Sequence, residues 1–387
     1  MTAAPDVWDA IIVGAGPAGS SLAARLGALG RSVLLFDSAR FPRGKICGEY
    51  LGPGCIPLFA EIGAAEEVLR QAHATSAMKA VSAGGVEFTA RYPEGQRALS
   101  LRREKLDWIL IECARRAKSV EVREGCRVQR LLIEDGAVRG VIARGPDGEE
   151  ETHKARVTVG ADGRNSVVAR GLGVFRWHAT HRRFSCGLHF EGVDASEYGA
   201  EIYAGRGLYG ILNQQGNGVA NLSIVAGQAR LEQWKGKLRG SFDSVLGELP
   251  RLRERLHGAQ PLEAVHALGP LAHYAASVSS DGALLVGDAA GFYDPFTGEG
   301  VYMALVGARL AAEAIDDGIR RGSLNRRVLR RYDGARRAAL ANRYRLQGLI
   351  QRVLARPRLA DFASNQLARH PSLAARLLAY IGAARPA

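Results

Sequence analysis

Three short stretches hold residue types that handle phosphates and sugar hydroxyls. The first is Gly14-Ala15-Gly16-Pro17-Ala18-Gly19. At this spacing Gly14 allows a tight turn, Gly16 lets backbone approach a pyrophosphate, and Gly19 lets a helix pack on a strand. The helix opening at Pro17 would present free N–H groups and a partial positive charge to phosphates. Asp37 follows 23 residues after Gly14, where a carboxylate can accept from ribose hydroxyls. The second stretch, "ADGRNSVVAR" from residue 161, sets Asp162-Gly163 at a strand end with Arg164 and Arg170 beside it; alone it reads more readily as an ordinary Asp-Gly turn. The third, "ALLVGDAAGFYDPFTGEGVYMAL" from residue 283, ends a buried strand at Asp288, which can hold a polyol hydroxyl. Pro295 stiffens its loop. Thr297, Gly298 and Gly300 then open a helix whose N–H groups would face a developing anion, although a helix capped by Thr297 accounts for the same residues. Such a fingerprint usually opens a domain, whereas this one comes almost 300 residues into the chain.

The elements that must position these residues are legible around them. "WDAIIVGAGPAGSSLAARLGALGRSVLLFD" reads as strand, turn, helix and strand, and Gly30 stops the helix. A helix is expected over "REKLDWILIECARRA" from Arg103, then three strands with turns at Asp135-Gly136 and Asp147-Gly148. From about 182 to 227 the texture is strand-like, closed by a helix over "LEQWKGKLRGSFDSVLGEL". Helices are expected over 298–317 and 324–354, with two short ones after Pro357 and Pro371. The expected fold is therefore α/β: a Rossmann-like domain from 1–75, 100–181 and 263–320, an inserted, mostly antiparallel sheet domain from 76–99 and 182–262, and a helical segment from 321–387.

The chain of 387 residues is 47% hydrophobic and 24% charged, enough to bury a sizeable core. No apolar run approaches the ~18 residues of a membrane span. The start lacks a basic stretch followed by an apolar one, so no signal peptide is read and a cytoplasmic location is expected. Five cysteines (47, 55, 113, 126 and 186), scattered and without CxxC spacing, suit reduced thiols; no His, Cys or acid cluster suggests a metal. The net charge of +13 is concentrated: residues 320–387 hold 16 arginines, no lysine and two acids, or +14, and the remainder sums to −1. A broad nucleic-acid face is thereby disfavoured.

Taken together in this order, the three stretches resemble a large family of FAD enzymes typified by para-hydroxybenzoate hydroxylase. The resemblance spans roughly residues 8–315. It implies that the N-terminal glycines take the ADP half of FAD, that the Asp162-Gly163 segment serves both dinucleotides, and that the late Gly-Asp segment takes the ribityl chain. It further implies that Arg103, in "LRREKLDWIL", contacts the flavin side and that the backbone of Val128 meets the adenine. The second fingerprint is late, on this reading, because one FAD is gripped from both ends of the chain.

Within the family, "GDAAGFYDPFTGEG" and the Cys47-Gly48 pair of "RGKICGEYLGPGC" look more like the geranylgeranyl reductase branch than the aromatic hydroxylases. The Trp-x-Trp-x-Ile-Pro motif of halogenases is missing. So is the reductases' Tyr-x-Trp-x-Phe-Pro stretch, at whose place stands "GLYGILNQQGNGVANLSIVA" with Tyr209 alone. The expected activity is a NAD(P)H-dependent monooxygenase acting on a hydrophobic, aromatic or polyketide-like substrate of secondary metabolism. The alternatives are a carbon–carbon double-bond reductase and a non-catalytic electron-transfer or escort flavoprotein. NAD(P)H would bind transiently, since no separate nucleotide unit is present for it.

Cys47 and Glu49 are the candidates for proton handling near the flavin ring, against a buried apolar role for Cys47 and a capping or solvated role for Glu49. His189 reads as a packing residue. The arginines of the last segment recur beside Leu, Ile, Val and Tyr at helical spacing, so one face can pack while another stays cationic. That face is a solvated surface, a peripheral contact with an anionic inner-membrane surface, or a dock for an acidic protein such as a carrier bearing the substrate.

Overall fold

The computed structural model describes residues 5–228, 230 and 238–384. Its strands, in chain order, include β1 (Val7–Val13), β2 (Val33–Asp37), β3 (Ala77–Val81), β4 (Glu87–Arg91), β5 (Val120–Glu124), β6 (Arg127–Glu134), β7 (Ala137–Arg144) and β8 (Glu150–Gly160). They continue with β9 (Arg183–Glu191), β10 (Tyr198–Ala204), β11 (Leu208–Gly216), β12 (Val219–Gly227) and β13 (Ala283–Leu285). The helices that bear on the site are α1 (Pro17–Ala28), α2 (Arg103–Arg115), α3 (Leu238–Gly247), α4 (Pro250–Arg255), α5 (Gly300–Arg320), α6 (Arg326–Leu354), α7 (Pro357–Arg369) and α8 (Pro371–Ile381). Of the expected helix over 231–249, the part from 231 to 237 lies outside the described residues.

The first sheet has a parallel core in the order β13-β8-β1-β2-β5, with β7 and β6 attached as an antiparallel ribbon. Ala10, Ile11, Ile12, Leu34 and Leu35 are fully buried, as strands covered on both faces require. On one face α1 packs against α2 and α5. Because the core strands are parallel, their carboxyl ends share one edge. Val13 is level with Gly160 and with Phe36, and Gly160 with Leu285. The residues that follow, Gly14, Ala161-Asp162, Asp37 and Gly287-Asp288, therefore line up along that edge, where open α/β sheets hold their ligands.

The second sheet runs β9-β12-β11-β10-β3-β4, antiparallel apart from the β10–β3 pair. Strands β3 and β4 come from 77–91, so two distant segments build one sheet. One face packs on α3 and α4 through Leu188, Leu212, Leu222, Phe242 and Leu252. The opposite face meets the loops around residues 48 and 294.

The last segment does more than present charge. Helix α6 lies on the body through Leu329, Tyr332 and Leu340, and the Tyr332 hydroxyl donates to the Leu285 carbonyl at 2.8 Å. Among the described residues, no helix is long and apolar enough to cross a membrane.

Candidate active site

The three phosphate-type stretches converge. Gly14 has φ +100°, and a Cβ there would lie 2.5 Å from the Ala161 carbonyl oxygen, so the first turn fits against the second stretch only as glycine. A Cβ on Gly287 would lie 2.9 Å from Cβ of Ala18, which places the third stretch on the start of α1. Asp37 is tied to the same turn: its Oδ2 accepts from the Ala15 N–H at 2.8 Å and its Oδ1 from the Ala39 N–H at 2.9 Å. Val128 is buried at the start of β6, two residues after Cys126, whose N–H donates to the Asp37 carbonyl.

Asp162 accepts through Oδ2 from the N–H groups of Val167 and Val168, at 2.7 and 3.3 Å, the first two of the short helix Val167–Gly171 whose cap is Ser166. Its Oδ1 is buried without a hydrogen-bond partner. Burial pushes the carboxyl above the usual range, against the hydrogen bonds that favour the anion. An acceptor of this kind suits a hydroxyl or N–H supplied from outside the chain.

Positive charge gathers over the open end of α1. A Cβ on Gly16 would sit 3.9 Å from the guanidinium nitrogens of both Arg43 and Arg103. Arg103 binds Asp107 in a fork, at 2.8 and 2.6 Å, and Arg43 reaches the same carboxylate at 2.8 Å. Asp107 is fully buried. Arg43 also approaches Asp37 Oδ2 at 3.7 Å, so two carboxylates hold the two guanidiniums in place beside the free N–H groups of a helix start, an arrangement suited to an anion. Lys45 adds to it from the rim of the cleft. The residue as a whole is exposed, yet desolvation of its ammonium and then the charge of Arg103 lower its pKa, while Asp288 acts in the opposite direction. A Cβ on Gly163 would lie 3.4 Å from Lys45 Nζ, so Lys45 stands at the second stretch. These residues fit a dinucleotide: its pyrophosphate at Gly16, Arg43 and Arg103, and its polyol toward Asp288.

The loop from Lys45 to Tyr50 closes the cleft against the second sheet. The Glu49 N–H donates to Cys47 Sγ at 3.3 Å, and Cys47 lies beside the Arg103 guanidinium. Glu49 is buried, with φ 59°, and both its oxygens are engaged. Oε1 accepts from the Arg103 N–H at 2.9 Å in the first turn of α2, and Oε2 lies 2.8 Å from His189 Nε2. His189 Nδ1 is 2.6 Å from Glu263 Oε1, whose side chain is 38% exposed, so the chain Glu49–His189–Glu263 runs from the cleft to solvent. Burial alone would lower the His189 pKa; the hydrogen bond and charge of Glu49, with help from Glu263, outweigh it and raise the pKa. The packing role expected for His189 is therefore replaced by a polar one, and Glu49 acts through His189 as well as capping α2. Two asparagines complete this strip. Asn221 Nδ2 lies 3.2 Å from His189 Nε2. Asn213, opposite it across the β11–β12 pair, donates through Nδ2 to the Gly48 carbonyl, while its Oδ1 is buried without a partner. Beside the polar strip runs an apolar one, Ile202, Tyr209, Ile211 and Val225, with Phe292 and Phe296 facing it.

The loop before α5 is held by side chains that the sequence reading did not single out. Asp294 is buried and accepts from Tyr209 (2.5 Å), Gln351 (2.7 Å) and the Phe296 N–H (3.0 Å), with His181 Nε2 at 3.1 Å. Burial and then the Asp294 charge push the Tyr209 hydroxyl far up, so it stays a donor. Gln347 donates to Thr297 Oγ1 at 3.1 Å, and Arg343 pairs with Glu299. Positions 343, 347 and 351 are successive turns of one face of α6. A polar residue every fourth position in an otherwise arginine-rich helix was the available signal. Pro295 begins a 3-10 turn (Pro295–Thr297), and Gly298 takes the left-handed φ of 64°, where a Cβ would lie 2.8 Å from the Tyr50 ring. Gly300 then opens α5, leaving its first N–H groups without helical acceptors. The loop of Cys47 and Glu49 thus meets the loop before α5 where Tyr50 lies against Gly298. Among the described residues, no cluster of His, Cys, Asp or Glu could hold a metal ion.

The profile of the FAD binding domain family matches residues 7–345. The digeranylgeranylglycerophospholipid reductase 1 of Methanococcoides burtonii is 28% identical over 87% of this chain and 81% of its own length. The menaquinone reductase of Mycolicibacterium smegmatis is 30% identical over 80% of this chain and 76% of its own. Among solved structures, the myxobacterial chondrochloren halogenase CndH superposes with a TM-score of 0.83 at 24% identity, covering 89% of this chain and 82% of that one. At that identity the likeness speaks to the fold.

Proposed function

The chain belongs to the FAD-binding domain family and is an FAD-dependent oxidoreductase of the para-hydroxybenzoate hydroxylase-like group; from that premise we propose a NAD(P)H-driven monooxygenase that hydroxylates an apolar substrate carrying a hydroxyl group, of phenolic or polyketide-like type. The observation that carries this reading is the orphaned Oδ1 of Asn213 beside an apolar strip. A buried acceptor without a partner costs about 1–3 kcal/mol. A phenolic hydroxyl donating to it removes that cost, whereas a hydrocarbon chain leaves it in place.

Bound FAD would supply the redox chemistry, with NAD(P)H as the reductant. The chain's own residues do the rest. Gly16, Arg43 and Arg103 would hold the pyrophosphate, Asp37 the ribose and Asp288 the polyol, and the N–H groups at Gly300 and after would face negative charge developing on the ring. Tyr209, Ile211, Phe292 and Phe296 exclude water from the substrate side. Asn213 orients the substrate hydroxyl, and Glu49, His189 and Glu263 carry its proton to solvent. The test is aerobic turnover of the NAD(P)H-reduced enzyme with alkylated phenols, product by mass spectrometry, alongside stopped-flow absorbance during reoxidation. A product heavier by one oxygen, with a flavin absorbance phase distinct from the oxidised and reduced forms, supports the reading. Reoxidation that yields only hydrogen peroxide with every phenol overturns it.

A second reading, a carbon–carbon double-bond reductase, is favoured by the reductases among the sequence relatives and by Cys47 beside Arg103. On this reading Cys47 donates the proton that accompanies reduction. Anaerobic reoxidation of the reduced enzyme by a polyprenyl acceptor would select it.

A further inference from the structure

Helix α6 carries a second feature that the oxidoreductase reading does not use. A cavity of about 740 Å³ opens between this helix and residues 275–278, and five arginines line it: Arg326, Arg327, Arg330, Arg336 and Arg337. Concave sites of this size suit small molecules, whereas a membrane surface meets a flat or convex patch. Three of the five, Arg326, Arg330 and Arg337, share one stripe of the helix with Asp333 and Tyr344, and Arg327 and Arg336 flank it. Neighbouring Arg321 and Arg331 pair with Asp317; Arg326, Arg327, Arg330 and Arg337 have no ion pair among the described residues. Several unpaired guanidiniums facing one hollow repel each other, a cost that a bound anion reverses. Arginine's planar fork matches phosphate oxygens better than a point charge does.

The one carboxylate on the wall, Asp333, narrows the ligand. Its Oδ2 accepts from Ser279 Oγ at 2.9 Å, and its Oδ1 is buried without a partner. Burial raises its pKa, against the Ser279 hydrogen bond and the charges of Arg326, Arg330 and Arg337, which lie close enough to act on it. An orphaned acceptor among arginines calls for a ligand with both phosphate oxygens and hydroxyl donors. The inner wall is shared with the late loop: Arg336 and Tyr344 also line the small hollow bordered by Asp288 and Gly300. Arg336 donates to the Tyr344 hydroxyl at 3.0 Å, and that hydroxyl donates to the Gly291 carbonyl at 3.3 Å.

We propose that this cavity binds a soluble sugar-phosphate ester of the nucleotide class, its phosphates on the arginines of α6 and a sugar hydroxyl on Asp333. The inference is independent of which reaction the enzyme performs. It is tested on the FAD-loaded protein by calorimetric titration at low salt with adenosine 2′,5′-bisphosphate, so that the dinucleotide cleft is already filled. The expected result is saturable binding at one site per chain, at least tenfold weaker in R330Q/R337Q. The control R345Q/R369Q removes the same charge from exposed positions outside the cavity and should bind as the parent does. Absence of saturable binding overturns the proposal, as does equal weakening in both double variants, which would mean diffuse charge attraction. A parallel sedimentation with phosphatidylglycerol vesicles distinguishes the other phosphate source: capture of the parent but not R330Q/R337Q, with no binding of the bisphosphate, assigns the arginines to lipid and also overturns it.

Discussion

Glu49 Oε2 and His189 Nε2 stand 2.8 Å apart although 140 residues separate them in the chain. The contact joins the loop that closes the dinucleotide cleft to the centre of the second sheet, and it is buried enough to shift a titration. Because the His189 pKa is raised in the folded protein, the pair's stabilisation is fully present below the unfolded value, about 6.5, and is lost as pH rises through the folded value. Glu49→Gln keeps the acceptor for the Arg103 N–H but removes the charge. Its destabilisation should therefore be larger at pH 6 than at pH 9, by about 1 kcal/mol for each unit of the shift removed. Thermal melts at the two pH values check this; an equal loss at both would mean that Glu49 acts only as a cap.

Asn213 provides the sharpest test of substrate chemistry. Asn213→Leu removes the orphaned acceptor and the bond to the Gly48 carbonyl. For a phenolic substrate KM should rise roughly 5- to 20-fold, since a buried hydrogen bond contributes about 1–2 kcal/mol. FAD content, read from the flavin absorbance per chain, should be unchanged.

At the dinucleotide edge, Gly14→Ala forces a Cβ to 2.5 Å from the Ala161 oxygen, in a backbone conformation that alanine strains to adopt. The purified variant should carry little FAD and melt several degrees lower. Arg43→Ala leaves the turn intact and removes one of the two guanidiniums over Gly16, so it should weaken FAD binding about 10-fold or more without a comparable loss of apoprotein stability. Fluorescence titration of apoprotein with FAD separates the two effects.

The row on α6 should support both the stability of the fold and the loop before α5. Gln351→Leu strips one donor from Asp294, a buried carboxylate that also serves Tyr209 and the Phe296 N–H. A cost of about 1–3 kcal/mol is expected in denaturant unfolding. Flavin reduction should slow as well, because the same loop presents the start of α5. Unchanged reduction kinetics would show that the loop keeps its shape without this donor.

Cys47→Ala divides the two oxidoreductase readings. Hydroxylation should persist within a few-fold if the thiol only fills space near Arg103. Double-bond reduction that needs its proton should fall by about 100-fold or more.

The sequence alone determined the nucleotide-handling stretches, the strands and helices that flank them, the α/β class with its second sheet, and the sign and place of the charge. Each is a local pattern: a glycine spacing, an apolar period, a turn residue, a run of arginines. The tertiary structure decided what those patterns meet. Parallel pairing brought Gly14, Asp37, Asp162 and Asp288 to one edge. Folding of α6 across the body turned Arg343, Gln347 and Gln351 into supports for a loop some fifty residues earlier. His189, which reads locally as one more residue in a strand, became the link between Glu49 and solvent. Such polar partnerships leave no periodic trace, because hydrogen-bond pairing depends on which surfaces the chain brings together and not on how far apart the residues lie in sequence.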